Sequence, residues 1–166
     1  MTPFSFTHTF DAEPAQFWKV FFHEPFNEDM YQRIKVKERR ILKFEENDTT
    51  ILRQVKVMPA RDLPGFMKKI VGGDFGYVEH NTIHKGKDTI DIVVEPTLFK
   101  DKTKMSGVFK VESLGPGKCR RSFAGTIAVS VPLLGGKIED FIIAEMKGAY
   151  DAAAQVTAEW LKKDLP

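Results

Sequence analysis

The sequence predicts an α+β fold in which a curved antiparallel sheet of about seven strands closes around one long C-terminal helix. Three observations predict it: an alternating N-terminal strand, hairpin patterns between residues 36 and 131, and a long helix-compatible stretch after Pro132. A sheet closed by one terminal helix forms a container, and ligand cavities of this kind are mostly apolar. We expect a single domain, residues 1–166, because this length is usual for one hydrophobic core.

The N-terminal segment combines one strand with two short helices. Apolar and polar residues alternate from Phe4 to Phe10, which is typical of a half-buried strand. Asp11 is a plausible N-cap of a first helix, which Pro25 ends, and Asn27 can cap a second helix. The order strand, helix, helix therefore precedes the hairpins.

Six further strand-like segments form three hairpins around polar or glycine-containing turns. They cover residues 36–46, 49–58, 77–84, 89–95, 104–114 and 119–131. The segment 62–74 interrupts this series, because it has few β-branched residues and an amphipathic pattern. Asp62 can cap a short helix there, which Gly72 and Gly73 stop. This helix is either a lid over a cavity or a crossover packed on the core.

The C-terminal helix has two different halves. Residues 137–146 carry bulky apolar side chains, whereas residues 148–158 are rich in glycine and alanine. Because small residues allow close packing against a sheet, the bulky half should face the space that the sheet leaves open. Gly135 and Gly136 lack the surrounding pattern of a phosphate-binding loop and are expected to make the turn from strand into helix.

Two stretches carry a family resemblance. The first stretch is Asp-Leu-Pro-Gly at 62–65, with Gly-Asp at 73–74. The second is Val-Pro-Leu-Leu-Gly-Gly-Lys-Ile-Glu at 131–139, which leads to Glu-Trp-Leu at 159–161. They resemble the bacterial START-like family named domain of unknown function 2505. The order of elements is similar to the helix-grip fold of the START-like (SRPBCC, Bet v 1-like) superfamily over nearly the whole chain. The resemblance implies a curved sheet that grips the terminal helix around a deep apolar cavity. It implies no catalytic residues.

Composition argues against several classes of protein. The 25 Lys and Arg residues nearly balance the 23 Asp and Glu residues, and a net charge of +2 gives no basis for nucleic-acid binding. The single cysteine, Cys119, cannot form an internal disulfide, which favours a reducing cytoplasm. We find neither an apolar run long enough for a transmembrane helix nor a signal-peptide pattern. The basic run 35–40 allows at most a transient membrane contact, and a solvated, mixed-sign strand edge explains it better.

The histidines are the first candidates for chemistry. His8 shares a strand face with phenylalanines, so it is a buried structural histidine or, alternatively, a general base tuned by burial. His80 and His84, with Glu79 and Asp91 nearby in sequence, raise the question of a metal site. Neither a metal-binding helix motif nor a paired cysteine motif is present, so we expect no metal and no cofactor.

Three other polar features have alternative explanations. Arg53 either faces the apolar interior, where it needs a partner or a ligand headgroup, or belongs to the outer face of its strand. Cys119 lies beside cations that can lower the pKa of a thiol, although no histidine is near it in sequence. The carboxylates Asp88, Asp91 and Glu95 fall in one hairpin and indicate a solvated face more than an acid–base pair.

The leading hypothesis is binding, and transport in addition, of a lipid or other hydrophobic small molecule in an internal cavity. The predicted lining residues are Phe66, Ile70, Tyr77, Phe109, Phe123, Ile138, Phe141 and Ile142. The alternative is an enzyme of polyketide cyclase or aromatase type, with His8, Tyr77 or His80 as the acid or base. A third possibility is an adaptor with a filled core. The sequence gives little support for catalysis.

Overall fold

The computed structural model describes residues 1–60, 63–69 and 75–165. The strands are β1 (Thr2–Phe10), β2 (Val36–Glu46), β3 (Thr50–Pro59), β4 (Tyr77–His84), β5 (Thr89–Pro96), β6 (Thr103–Gly115) and β7 (Lys118–Val129). The helices are α1 (Pro14–Phe21), α2 (Glu24–Arg33), α3 (Gly65–Lys68) and α4 (Gly135–Leu161), with a short 3₁₀ helix at Lys100–Lys102. Among these described helices, none is both long and apolar enough to cross a membrane.

The strands form one antiparallel sheet in the order β1-β7-β6-β5-β4-β3-β2. Strands β2 to β7 pair with their sequence neighbours, and β1 pairs with β7 along its whole length, from Thr2 opposite Ile127 to Phe10 opposite Cys119. The sheet is curved and holds α4 on its inner face, which confirms the predicted α+β helix-grip fold. The fold places the inward residues of every strand around one helix.

Alternation along five of the strands directs apolar side chains toward α4. Buried apolar side chains from β1, β4, β5, β6 and β7 join Phe17 of α1 and Ile138 of α4 in one core cluster. Gly107 of β6 lies opposite Gly125 of β7, and a Cβ at Gly125 would overlap the carbonyl oxygen of Ser106. Glycine at this paired position therefore allows β6 and β7 to approach more closely than other residues would permit.

The caps of the first two helices differ from the sequence prediction. Asp11 does not cap α1; Glu13 does, in a reciprocal capping box with Gln16. Pro25 lies in the first turn of α2 and does not end α1. The physical reason is that the first turn of a helix leaves its N–H groups unpaired, so proline loses no hydrogen bond there.

Asn27 is a buried residue inside α2, so its prediction as an N-cap is also wrong. Its Nδ2 donates to the carbonyl oxygens of Phe21, at 3.1 Å, and His23, at 3.2 Å. Asn27 thus satisfies carbonyl groups at the end of α1 and in the α1–α2 junction.

The turn into α4 is made before the glycine pair, which corrects another expectation. Gly135 and Gly136 are the first two residues of the helix, and Leu133 carries the left-handed backbone conformation with φ of 64°. Gly135 is required for a different reason, because a Cβ there would overlap the carbonyl oxygen of Val129. At Gly148, by contrast, an added Cβ would meet open space, so this glycine is not needed for close packing. The proposed Asp62 cap and Gly72–Gly73 stop lie outside the described residues.

Candidate ligand-binding site

Two adjoining cavities lie between the sheet and α4. The first, of about 150 Å³, is lined mainly by apolar side chains and is called the apolar chamber. The second, of about 120 Å³, contains most of the inward-facing polar groups and is called the polar chamber. Both are lined by Ile34, Tyr77, Glu79, Ala149 and Tyr150, so the two chambers meet at these side chains.

The bulky half of α4 forms one wall of the apolar chamber. Phe141, Ile142 and Met146 face the inward side chains of β5, β6 and β7, including Met105 and Phe123. The predicted division of α4 is therefore present here, because its large side chains border the open space. The smaller residues Ala149 and Ala153 border the polar chamber.

The polar chamber is enclosed by α1, α2, α4 and the strands β2 to β7. Its polar lining comes from segments far apart in the sequence, namely Tyr31, Arg39, Arg53, Glu79, Asn81 and Arg121. The remaining lining is largely aromatic and aliphatic. A buried polar group without a hydrogen-bond partner is costly, so each of these side chains raises the question of what it contacts.

Arg53 faces this chamber and not the outer surface. Its guanidinium carbon lies 5.7 Å from the ring centre of Phe21 and 5.9 Å from that of Phe22. Leu52, the next residue along β3, points outward and is 41% exposed, which decides between the two orientations that the sequence allowed. The Arg53 Nε is buried and has no hydrogen-bond partner in the described part of the chain.

Glu79 projects into the chamber from the neighbouring strand, β4. Burial raises the pKa of its carboxyl group above the usual range, and the nearby Arg53 and Asn81 oppose that shift. The amide oxygen of Asn81, which is 3% exposed, has no hydrogen-bond partner among the described residues. Burial also lowers the pKa of Arg53, which Tyr31 and Glu79 oppose.

Arg121 and His8 connect the chamber to the surface. The Nη2 of Arg121 donates to His8 Nδ1 at 2.7 Å and to the carbonyl oxygen of Tyr150 at 3.0 Å. His8 Nδ1 is therefore an acceptor, and the ring proton is assigned to Nε2, which donates to Asp151 Oδ1 at 2.8 Å. Burial lowers the pKa of His8; Asp151 opposes this effect and Arg121 adds to it.

The phenols of Tyr77 and Tyr150 lie at the junction of the chambers and are able to donate hydrogen bonds. Burial is the main cause that raises the pKa of Tyr77 and of Tyr150 well above the ordinary tyrosine value, and Glu79 raises both further. The Tyr150 ring stacks between Phe6, at 5.6 Å, and Phe123, at 5.4 Å. These tyrosines remain protonated at neutral pH, so neither is a base.

The histidines of β4 lie on the opposite face of the sheet. His80 contacts Glu95 at 3.3 Å and His84 contacts Asp91 at 2.7 Å, all on the outer face. Glu79 points inward, so the residues that suggested a metal site do not converge. His80 is therefore removed from both chambers, and the carboxylates of this hairpin form the solvated face that the sequence favoured.

Two other sequence candidates have structural explanations. Cys119 is fully buried, and burial with the nearby Glu13 raises the pKa of its thiol, which is the opposite of activation. In the basic run 35–40, Arg39 turns toward the polar chamber and contacts Glu24 at 3.2 Å, while Arg40 lies 3.8 Å from Glu38. Residues 35–40 therefore belong to an edge of the sheet whose side chains carry both positive and negative charges.

The structure brings together five of the eight predicted lining residues. Tyr77 borders both chambers; Phe123, Phe141 and Ile142 border the apolar chamber, and Phe109 borders the polar chamber. Two others do not border either described cavity: Ile138 is 1% exposed in the core, and Phe66 packs against it. Ile70 lies outside the described residues. Their roles in binding remain predictions.

Sequence reasoning missed Glu79, Tyr150 and Ala149, which lie where the chambers meet. Glu79 lies two residues after Tyr77 and therefore on the same strand face. Since Tyr77 is predicted to face inward, strand alternation also predicts an inward Glu79. Ala149 and Tyr150 follow the bulky half of α4, and nothing in their spacing distinguishes them from ordinary core residues.

The fold is shared with solved structures of very different sequence. A norcoclaurine synthase from Thalictrum flavum matches with a TM-score of 0.67 at 12% identity, over 98% of this chain and 87% of that chain. The Zhui aromatase/cyclase from a Streptomyces species matches at 0.66 and 12% identity, over 97% and 93%. A START superfamily protein from Mycobacterium smegmatis matches at 0.56 and 15% identity, over 96% and 97%.

These likenesses are of the fold alone, because all three identities are low. No curated protein matches the sequence at a significant level. The model of one family, described as protein of unknown function (DUF2505), matches residues 5–161. This chain therefore belongs to the DUF2505 family, and it has the helix-grip fold that these solved structures share.

Proposed function

We propose that this protein binds a lipid or another hydrophobic small molecule in the two chambers between the sheet and α4. The observation that carries the proposal is that the chambers adjoin at Tyr77 and Tyr150 and are lined largely by apolar side chains. The fold supports it, because solved structures with this fold include a START superfamily protein. The family match over residues 5–161 supports treating the chain as a single domain.

The energetic argument is the removal of apolar ligand surface from water. Each buried methylene group contributes about 0.8 kcal/mol. A ligand with eight to ten such groups would therefore gain roughly 6–8 kcal/mol before the entropy of association and ordering is subtracted. The upper end of this gain alone corresponds to a dissociation constant of about 1 μM. We therefore expect short-chain probes to bind more weakly than that and a larger natural ligand to bind more tightly than the probes.

A neutral fluorescent probe tests the proposal. N-phenyl-1-naphthylamine, which is apolar and uncharged, should increase its fluorescence with the delipidated protein and saturate at one molecule per chain. The Phe141→Asp variant places a charge in the wall of the apolar chamber and should abolish the signal. Asp140→Ala, on the exposed side of the same helical turn, is the matched control and should bind as the wild type does. Absence of saturable binding by the folded wild-type protein would reject the proposal.

Transport is the finer part of the proposal. Release of a ligand to a membrane requires at most a transient contact, and the basic side chains of the 35–40 run other than Arg39, which turns into the polar chamber, supply positive charge at the edge strand β2. Ligand transfer from the loaded protein to vesicles should then be faster with anionic than with neutral lipids. Equal rates for both vesicle types would argue against a charge-assisted contact.

Glu79 favours a second candidate function, acid–base chemistry on a hydrophobic carbonyl compound. Its carboxyl group lies in the polar chamber and burial raises its pKa, which makes the carboxylate a stronger base than an ordinary glutamate. In this reaction the Glu79 carboxylate would take a proton from the carbon beside the carbonyl and return it to the same carbon. Deuterium exchange into 2-decanone should then be accelerated by the wild type and not by Glu79→Gln. Equal exchange with both proteins would exclude this role.

A further inference from the structure

We propose that the polar chamber receives an anionic group, a carboxylate in the simplest case, and that Arg53 binds it. The ligand would then be an amphipathic acid whose apolar body occupies the apolar chamber. This inference rests on the proposed binding function and adds the chemical class of the ligand to it.

The charges that face the polar chamber are unequal. Among the described residues, three arginines, Arg39, Arg53 and Arg121, line it together with one carboxylate, Glu79. Two of the arginines already have partners: Arg121 donates to His8 and to a backbone carbonyl, and Arg39 contacts Glu24. Arg53 differs from both, because it forms no hydrogen bond or ion pair with another residue of the described part of the chain.

The surroundings of Arg53 leave its hydrogen-bonding capacity unused. Its guanidinium packs over the rings of Phe21 and Phe22, and its buried Nε has no hydrogen-bond partner among the described residues. Although Arg53 and Glu79 both lie in the described part of the chain, they form no direct ion pair. A planar guanidinium with free donors matches the two oxygens of a carboxylate.

Neighbouring groups limit where the anion can lie. The Asn81 amide oxygen is an acceptor that lacks a partner among the described residues, so a carboxylate would have to lie away from it, on the Arg53 side of the chamber. The phenols of Tyr77 and Tyr150, which line the same chamber, are able to donate hydrogen bonds to the ligand. The rival explanation is that Arg53 and Glu79 close into an internal ion pair around water, in which case a neutral ligand would bind as well as an acid.

The geometry also orients the ligand. Arg53 and the other charged side chains belong to the polar chamber, whereas Phe141, Ile142 and Met146 belong to the apolar chamber. Because the chambers meet at Tyr77 and Tyr150, one elongated molecule can place its charged end in the first and its chain in the second.

Two probes of equal chain length test the inference. Decanoate and decan-1-ol would each displace N-phenyl-1-naphthylamine from the delipidated protein, at a pH of about 7.5 where a carboxylic acid is ionised. We expect decanoate to bind at least tenfold more tightly than decan-1-ol, the change typical of one charge-assisted hydrogen bond. Arg53→Met should remove that preference, whereas Arg120→Met, an exposed arginine on the outer face of β7, should keep it.

The outcomes separate the two proposals. If the neutral probe binds but decanoate and decan-1-ol compete equally, the ligand is not an acid, and the binding function stands. If neither probe nor competitor binds, the binding function itself fails. Should Arg53→Met not fold, Arg53→Gln decides, because it keeps a polar side chain and removes the charge. An unchanged preference for decanoate in Arg53→Gln or Arg53→Met would overturn the assignment to Arg53.

Discussion

Ala149 offers a direct test of whether the chambers are open space, because it lines both of them from α4. Ala149→Leu adds three carbon atoms at the junction. If they enter space already present, burial contributes about 0.8 kcal/mol for each carbon, or roughly 2.4 kcal/mol. Ordering the leucine side chain opposes this by about 0.5–1 kcal/mol. We therefore expect the delipidated variant to gain about 1–2 kcal/mol in free energy of unfolding.

The assay for Ala149→Leu combines urea unfolding with probe binding. The expected stabilisation corresponds to a rise in Tm of about 2–8 °C for a chain of this size. Binding of N-phenyl-1-naphthylamine should fall at least tenfold, because the added side chain blocks the passage between the chambers. Ala158→Leu makes the same change at an exposed position of the same helix and should alter stability by no more than about 0.5 kcal/mol.

The prediction is wrong if Ala149→Leu lowers the free energy of unfolding instead of raising it. A tightly filled junction would be overpacked by the leucine, which typically lowers stability by about 1–3 kcal/mol. A destabilised Ala149→Leu variant, or one that binds the probe as the wild type does, would show that the chambers are not connected through this position.

Two further predictions concern buried polar contacts. Glu139 is 6% exposed and accepts hydrogen bonds from the Val129 backbone N–H at 2.8 Å and the Thr2 hydroxyl at 2.7 Å. Because Glu139→Ala removes both hydrogen bonds, it should lower the free energy of unfolding, measured by urea titration, by about 2–3 kcal/mol. These hydrogen bonds lower the pKa of Glu139, so its contribution to the free energy of unfolding should be present above pH 4.5 and be lost as the pH falls through the lower native pKa. A urea midpoint of Glu139→Ala equal to that of the wild type would contradict these contacts. His8 should titrate by NMR below its ordinary pKa of 6.5, chiefly because of burial. Because the unfolded chain binds that proton more readily, stability should fall as the pH drops below 6.5, and a His8 midpoint at or above 6.5 would exclude the assigned neutral form.

The sheet was predictable because local signals define each hairpin. The turns between the paired segments contain Asn-Asp, Lys-Gly-Lys-Asp and Gly-Pro-Gly, and the strands that they connect form with bounds close to those predicted. Helix caps were less predictable, because Asp11 and Glu13 are both able to accept hydrogen bonds from a first helical turn. Only the packed position of α1 selects Glu13.

The polar chamber could not be predicted, because its charges come from different segments. Arg39, Arg53 and Glu79 lie on β2, β3 and β4, and only the sheet register brings them to one cavity. Register shifts in β2, between Val36 and Glu38 and between Ile41 and Lys43, interrupt its alternation. A one-residue shift exchanges the two faces of a strand, so the orientation of Arg39 is not readable from sequence alternation.

Native mass spectrometry of the protein purified from its own host tests the central claim most directly. We predict a protein ion that carries the mass of one apolar or amphipathic small molecule, which extraction removes and added decanoate or decan-1-ol replaces. The Ala149→Leu variant should carry none. A mass equal to the bare chain, unchanged after exposure to both compounds, would contradict the account that these chambers hold a ligand.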